Sequence, residues 1–108
     1  MIKETFDMSE NHESEQLVID KYSSTINESV MLVVWSEVTG TLDGTVDLIG
    51  YLDSKDEESW GIIGSITINS ASGRQLVYTG LDCELIQAVY SKNNISGGEM
   101  TIYLRGSE

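Results

Sequence analysis

Short runs of Val, Ile, Thr and Tyr, separated by turn residues at intervals of about ten positions, dominate this sequence. Such spacing is typical of a β-sandwich or a β-barrel, and no stretch shows the period of an amphipathic helix. A chain of 108 residues fits one domain with its own core. We therefore predict an all-β fold, a single antiparallel β-sandwich over residues 1–108 with about eight strands in a jelly-roll-like arrangement. The predicted strands are Ile2–Met8, Leu17–Ser23, Val30–Val38, Thr45–Asp53, Gly61–Ile68, Gln75–Thr79, Leu85–Lys92 and Met100–Arg105.

Alternation of apolar and polar residues within these runs predicts which side chains face the core. In the run Gly61–Ile68, three isoleucines fall on one face with Gly64 between them: Ile62, Ile66 and Ile68. A strand of this kind has one buried and one solvated face, which is typical of antiparallel sheets. We expect Trp60, just before this run, to be substantially buried and to close one end of the core.

The segment "VMLVVW", Val30–Trp35, does not alternate, because apolar residues occupy both of its faces. This pattern predicts a central strand whose second face is covered by a neighbouring subunit. The N-terminal "IKETF" does alternate, so it can dock as an edge strand on the chain's own sheet or on a partner's. We predict a homo-oligomer or a complex with a larger protein. The candidate interface residues are Ile2, Phe6, Met31, Val33 and Trp35.

The charge of the chain excludes two classes of partner. The formal net charge is −12 and the pI is near 4.2. Nucleic acids and anionic membranes need Lys or Arg to neutralise phosphates, so we expect neither as a partner. The first sixteen residues lack the apolar core of a signal peptide, and we expect synthesis without Sec-type export.

Two acidic segments could carry function. In "DSKDEES" the carboxylates of Asp53, Asp56, Glu57 and Glu58 could supply oxygen ligands to calcium. Their spacing is not that of an EF-hand loop, and Lys55 stands among them. We interpret the segment as a charged turn and predict no metal and no cofactor.

The second acidic segment follows the predicted N-terminal strand. Glu10, Glu13 and Glu15 lie within six residues around His12, and they repel one another without apolar anchors. We predict that residues 9–16 form a mobile acidic loop.

Groups that could carry catalysis are few. His12 is the only histidine, and Cys83 stands between Asp82 and Glu84, whose charges suppress the reactivity of a thiol. A nucleophile needs a base within hydrogen-bond reach, and the sequence predicts no such pair. We therefore predict no catalytic residues and no enzymatic activity.

Aromatic residues on or beside the strands leave one alternative open. Sugar-binding sandwiches use exposed rings as stacking platforms, although such rings lie more often in a core or a subunit interface. A carbohydrate-binding module is therefore the alternative function. The aromatic residues concerned are Trp35, Trp60, Tyr51, Tyr78, Tyr90 and Tyr103.

Val30–Trp60 resembles the small β-sandwich proteins of tailed-phage virions. The shared features are Val34-Trp35 on a strand, the hairpin from Thr39 to Val46, the alternating strand from Leu48, and Trp60. The similarity continues through "LIQAVYSKNNISGGEMTIYLRG", with a Tyr-containing strand, a Gly-rich turn and a terminal strand. The usual Asn-Asp-Gly turn is replaced by the longer, more acidic "DSKDEES".

The resemblance implies a non-enzymatic virion component: a capsid decoration, head-fibre, neck or tail protein. It implies a symmetric oligomer whose partners are itself and other virion proteins. It also implies that the protein is made in the host cytoplasm and located in the virion.

Overall fold

A computed structural model describes residues 1–19, 29–79 and 83–106. All the regular structure in these ranges is β-strand, which confirms the predicted class. The predicted strand Leu17–Ser23 extends over Leu17–Val18, and its positions 20–23 lie outside the described residues. The strands are β1 (Ile2–Asp7), β2 (His12–Glu13), β3 (Leu17–Val18), β4 (Ser29–Gly40), β5 (Thr45–Tyr51), β6 (Trp60–Thr67), β7 (Gly73–Thr79), β8 (Leu85–Ser91) and β9 (Ile95–Gly106).

Two antiparallel sheets pack face to face. The front sheet has the strand order β1-β9-β4-β7 and the back sheet the order β2-β8-β5-β6, with the short β3 also paired to β8. If β2 and β3 are counted as one interrupted strand, each sheet has four strands. Most successive strands lie in opposite sheets, and this order is that of a jelly roll. The predicted jelly-roll-like sandwich is confirmed.

The core lies between the two sheets. Met31, Val33 and Trp35 from β4 meet inward residues of the back sheet such as Leu48 and Ile86, and all five are at most 2% exposed. Apolar side chains of this size each stabilise the fold by about 1.5–3 kcal/mol when fully buried.

Tyr90 places one polar atom within this core. Its side chain is fully buried, and its hydroxyl donates a hydrogen bond of 2.9 Å to the carbonyl oxygen of Met8. Burial, with the nearby Asp43 and Asp7 carboxylates, raises the pKa of Tyr90 to about 12. The hydroxyl therefore stays protonated as a donor at neutral pH, and it ties the N-terminal segment to the core.

The N-terminal strand docks on the chain's own sheet. β1 pairs antiparallel with β9, and Ile2 stands opposite Leu104 while Phe6 stands opposite Met100. Both side chains pack half-buried against the core. Of the two docking sites predicted for this strand, the structure shows the one within the molecule.

Residues 9–16 differ from the loop that the sequence predicts. They contain β2, which pairs with β8, and Ser14 is buried at 3% exposure. The Ser14 N–H donates to the Ala88 carbonyl, and the Ser14 hydroxyl accepts the Ala88 N–H, each at 2.9 Å. Backbone pairing thus supplies the anchor that the acidic side chains lack, and we now expect this segment to be ordered.

A contact at the open edge of the sandwich links the two sheets. His12 on β2 stacks on Phe6 of β1 with ring centroids 3.9 Å apart, and its Nε2 lies 2.6 Å from Glu4 Oε1. Glu4 Oε2 also accepts the Glu15 N–H at 2.8 Å. Burial raises the pKa of Glu4, but these hydrogen bonds and the charge of His12 outweigh it, so the pKa lies below its ordinary value. We call these three side chains, Glu4, Phe6 and His12, the edge contact.

β6 contains one extra residue relative to its partner β5. Leu48 stands opposite Gly64, whereas the next residue, Ile49, stands opposite Ile62, so Ile63 has no partner of its own. This β-bulge reverses the alternation of the strand, because a shift of one residue exchanges the two faces. Ile66 and Gly64 face the core, while Ile62 faces outward.

Candidate functional site

Three of the five predicted interface residues belong to the chain's own core and the other two pack against it, which corrects their assignment to a partner surface. Met31, Val33 and Trp35 are buried at 0, 0 and 2% exposure between the sheets. Ile2 and Phe6 lie beside them on the inward side of β1. The prediction of a doubly apolar strand holds, but the sequence did not indicate which face points inward.

The outward half of β4 forms an apolar surface on the front sheet. Val30, Leu32 and Val34 alternate with the buried residues and are half-buried. In the paired strands, outward neighbours extend this surface, and Leu76 and Tyr78 are 59% and 58% exposed. We call this surface the apolar outer face. Its members are Val30, Leu32, Val34, Leu76, Tyr78 and Tyr103.

Cations are concentrated around this face although the chain is strongly acidic. Arg74 stands opposite Val34, and Arg105 stands opposite Val30. The Lys3 Nζ lies 5.3 Å from the centroid of the Tyr103 ring, a cation–π contact. Asp7 on β1 and Glu99 on β9 stand opposite each other in the strand register, at the end of the face away from Arg105. The surface therefore has an apolar centre, a cationic border and one acidic end.

A groove of about 640 Å³ lies on the outer face of the back sheet. Ile49 and Leu85 are buried beneath it, at 8% and 5% exposure. Tyr51 and Trp60, which are cross-strand neighbours on β5 and β6, line one side. Glu13, from the segment predicted to be a loop, lines the other side.

Trp60 is not buried, contrary to the prediction. Its side chain is 54% exposed, and that of Ile62 is 56% exposed. The cause is the bulge at Ile63, which turns the part of β6 before it outward. Regular alternation through Gly64 would have directed both side chains to the core. The signals in the sequence are Gly64 inside the strand and the adjacent pair Ile62-Ile63, because a glycine within a strand often marks a bulge.

The acidic turn between β5 and β6 folds around its own carboxylates. Asp53 Oδ1 accepts the Lys55 N–H at 2.9 Å, and Asp56 Oδ1 accepts the Glu58 N–H at 3.0 Å. The Ser59 hydroxyl lies within 2.9 Å of the Asp53 and Asp56 carbonyl oxygens. Carboxylates that accept backbone N–H groups two residues on are typical of tight turns. The turn thus determines where β6, and with it Trp60, begins.

Part of this turn borders the groove. Ser54 and Glu57 line it, and the Ser54 N–H donates to Glu84 Oε1 at 3.0 Å, which connects the turn to the segment before β8. Both acidic segments that stand out in the sequence therefore meet at one surface. The sequence separates them by about forty positions, and only the pairing of β2 with β8 and of β8 with β5 brings them together.

Metal and catalytic chemistry have little geometric basis in the part of the chain described. No three His, Cys, Asp or Glu side chains of residues 1–19, 29–79 and 83–106 lie close enough together to hold a metal ion. His12 belongs to the edge contact, and Cys83 is buried at 4% exposure. The same ranges include no helix that is long and apolar enough to cross a membrane. The absence of metal, cofactor and catalysis stays a prediction, which calcium titration and activity screens would test.

A scan against protein-family models and a search of curated proteins both found no match to this sequence.

Proposed function

We propose that this chain is a non-enzymatic structural component of a tailed-phage virion, a capsid decoration, head-fibre, neck or tail protein that acts through protein–protein contacts. The resemblance of Val30–Trp60 to such proteins supports this proposal. One structural observation carries it: the central strand of the front sheet is apolar on its outward side as well as its inward side.

Covering this face is energetically favourable. Leu76 and Tyr78 are more than half exposed, and the outward β4 residues are only half-buried. Each Å² of apolar surface removed from water contributes about 25 cal/mol. Contiguous apolar surface surrounded by polar residues is typical of a protein-binding site.

A second copy of the chain fits the charge pattern of the face. A two-fold axis through its centre would place Arg105 of one copy over the acidic end, Asp7 and Glu99, of the other. An interface of this kind is isologous, because the same residues serve both sides. The cationic border also reduces the repulsion that a net charge of −12 imposes on two copies. A larger virion protein with an acidic, apolar surface would use the same contacts.

The association is tested by light scattering at micromolar concentration. We expect the parent protein to have a mass of two or more times the 11.9 kDa of one chain. Leu76→Asp places a charge on the face and should give a monomer. Leu52→Asp is the matched control, since Leu52 is 70% exposed outside the face and its variant should associate like the parent. If Leu76→Asp associates as the parent does, the apolar outer face is not the contact.

The virion assignment is tested on purified particles of a tailed phage that encodes the chain. Mass spectrometry should detect the chain at a stoichiometric ratio to the capsid or tail proteins, and immunogold labelling should locate it on one part of the particle. Its absence from washed particles would contradict the assignment.

A further inference from the structure

We propose that the groove on the outer face of the back sheet binds a neutral saccharide chain. This inference goes beyond the virion function, since it concerns the opposite side of the molecule from the apolar outer face. Its basis is the combination of exposed aromatic rings with fixed polar groups in one open groove.

The aromatic rings form a stacking platform. Trp60 and Tyr51 stand opposite each other on β6 and β5, and Ile62 stands opposite Ile49 two pairs further along, on the same face. The negative face of an aromatic ring attracts the weakly positive C–H groups on the apolar face of a pyranose. The exposed ring of Trp60 contributes little to the stability of the fold, because the bulge removes it from the core. A bulge that re-aims a side chain is common next to functional sites.

Polar groups around the platform suit sugar hydroxyls, which both donate and accept hydrogen bonds. The groove is lined by the amide of Gln87, the carboxylates of Asp47 and Glu13, and the residue Ser54. Two of these side chains are fixed in advance. Gln87 Nε2 donates to the Ser14 carbonyl oxygen at 2.7 Å, and Asp47 Oδ1 accepts from the Ser65 hydroxyl at 2.6 Å. Groups that are already oriented lose less entropy when a ligand binds.

The charge of the groove selects among saccharides. Three carboxylates line it, those of Glu13, Asp47 and Glu57, and no Lys or Arg is among its lining residues in the described ranges. An anionic polymer, such as a uronic acid chain, would be repelled with no cation to offset the cost. A neutral chain meets no such repulsion, and its hydroxyl groups can donate hydrogen bonds to the carboxylates.

The length of the groove favours a chain over a single sugar. Asp47 and Tyr51 both line it, and the four residue steps of extended strand from one to the other span about 13 Å. The groove continues past Tyr51 to Ser54 and Glu57 of the acidic turn. More than one pyranose ring therefore fits along β5.

Affinity gel electrophoresis tests the proposal with the full chain. The probes in the gel are neutral polysaccharides (soluble β-glucan, xylan and galactomannan), the anionic polygalacturonate, and, in a separate binding assay, oligolysine. We expect at least one neutral polysaccharide to retard the protein and polygalacturonate to leave it unretarded. Trp60→Ala should weaken the binding about tenfold or more, as the loss of a central aromatic contact does. Trp60→Phe should retain part of it.

The matched control is Leu52→Ala, which removes an exposed apolar side chain that belongs neither to the groove nor to the apolar outer face. Its binding to the neutral polysaccharide should equal that of the parent. Three results would overturn the proposal: no retardation by any neutral polysaccharide, retardation that Trp60→Ala leaves unchanged, or binding of oligolysine alone, which would make the groove a site for basic peptides. None of these depends on the oligomeric state, so the virion proposal can fail or hold independently.

Discussion

β4 in the front sheet and β6 in the back sheet both expose apolar side chains, but they do so by different routes. The side chains of β4 point alternately inward and outward without interruption from Ser29 to Ser36, and the strand exposes apolar residues because both of its faces are apolar. Most apolar residues of β6 lie at alternate positions, and the strand exposes Trp60 and Ile62 because a bulge at Ile63 reverses its faces. The first surface is broad and bordered by cations. The second is a groove lined by carboxylates.

An exposed apolar surface can therefore arise either from the composition of a strand or from its register. A doubly apolar strand is visible in the sequence, because no single sheet face can bury both halves. A bulge changes which residues are exposed without changing the composition at all. A functional surface that depends on register can therefore be predicted only when the strand pairing is known.

The largest expected effect separates the two tryptophans. Trp35 is 2% exposed, its Nε1 donates to the Ser70 carbonyl oxygen at 3.0 Å, and its ring packs against Gly73, where a Cβ would stand 2.6 Å from Trp35 Cζ2. Trp35→Ala should lower the free energy of unfolding by about 3–5 kcal/mol. Trp60→Ala should lower it by about 1 kcal/mol or less, since its ring is half in water. Urea denaturation measures both, and equal losses would mean that Trp60 is part of the core.

A smaller effect separates neighbouring residues of β4. Met31 faces the core and is fully buried, so Met31→Ala should lower the free energy of unfolding of the monomer by about 2–5 kcal/mol. Leu32→Ala, at a half-buried outward position, should lower it by about 1 kcal/mol. Association should show the opposite order, with Leu32→Ala weakening it more than Met31→Ala does. Sedimentation velocity over a concentration series measures this, and an equal effect of both variants would remove the distinction between the two faces.

The smallest effect concerns the edge contact. This contact fixes β2, whose Glu13 lines the groove. The pKa of Glu4 is lowered in the folded state, so its carboxylate stabilises the fold above its unfolded pKa, and this contribution is lost as the pH falls through the folded value. Glu4→Gln should remove that acid-dependent part, about 1 kcal/mol or less for so accessible a contact. The measurement is the thermal midpoint between pH 3 and pH 6. Glu10→Gln, at an exposed position nearby, is the control, and a Glu4→Gln profile that parallels the parent's would show that the contact contributes nothing.

Much of the fold could be predicted from the sequence because it depends on local patterns. Alternating β-branched runs and Asx- or Gly-containing turns predicted the all-β class, the sandwich, and six of the strands to within two residues, while β9 begins five residues before its predicted start. β2 could not be predicted, because two residues, His12 and Glu13, have no pattern of their own. They are strand only because β8 offers an open edge to pair with.

The candidate surfaces could be predicted only in part. A second apolar face on β4 follows from composition, but composition does not distinguish its inward residues from its outward residues, because either set fits a strand. The groove was hidden by two facts of pairing: the bulge at Ile63, and the meeting of residues 13–16 with the turn before β6. The meeting of the two segments depends on pairing between distant strands, so residue spacing alone could not predict it, whereas the bulge had a local sign in Gly64.

The central claim, that the bulge at Ile63 turns Trp60 out of the core, is tested most directly by acrylamide quenching of two variants that each retain one tryptophan. Trp35→Phe leaves only Trp60, and Trp60→Phe leaves only Trp35. The account predicts that the fluorescence of Trp60 is quenched several-fold more efficiently than that of Trp35, and that its emission maximum lies at longer wavelength. A Trp60 that is as protected from acrylamide as Trp35 would contradict the outward register of β6, and with it the groove.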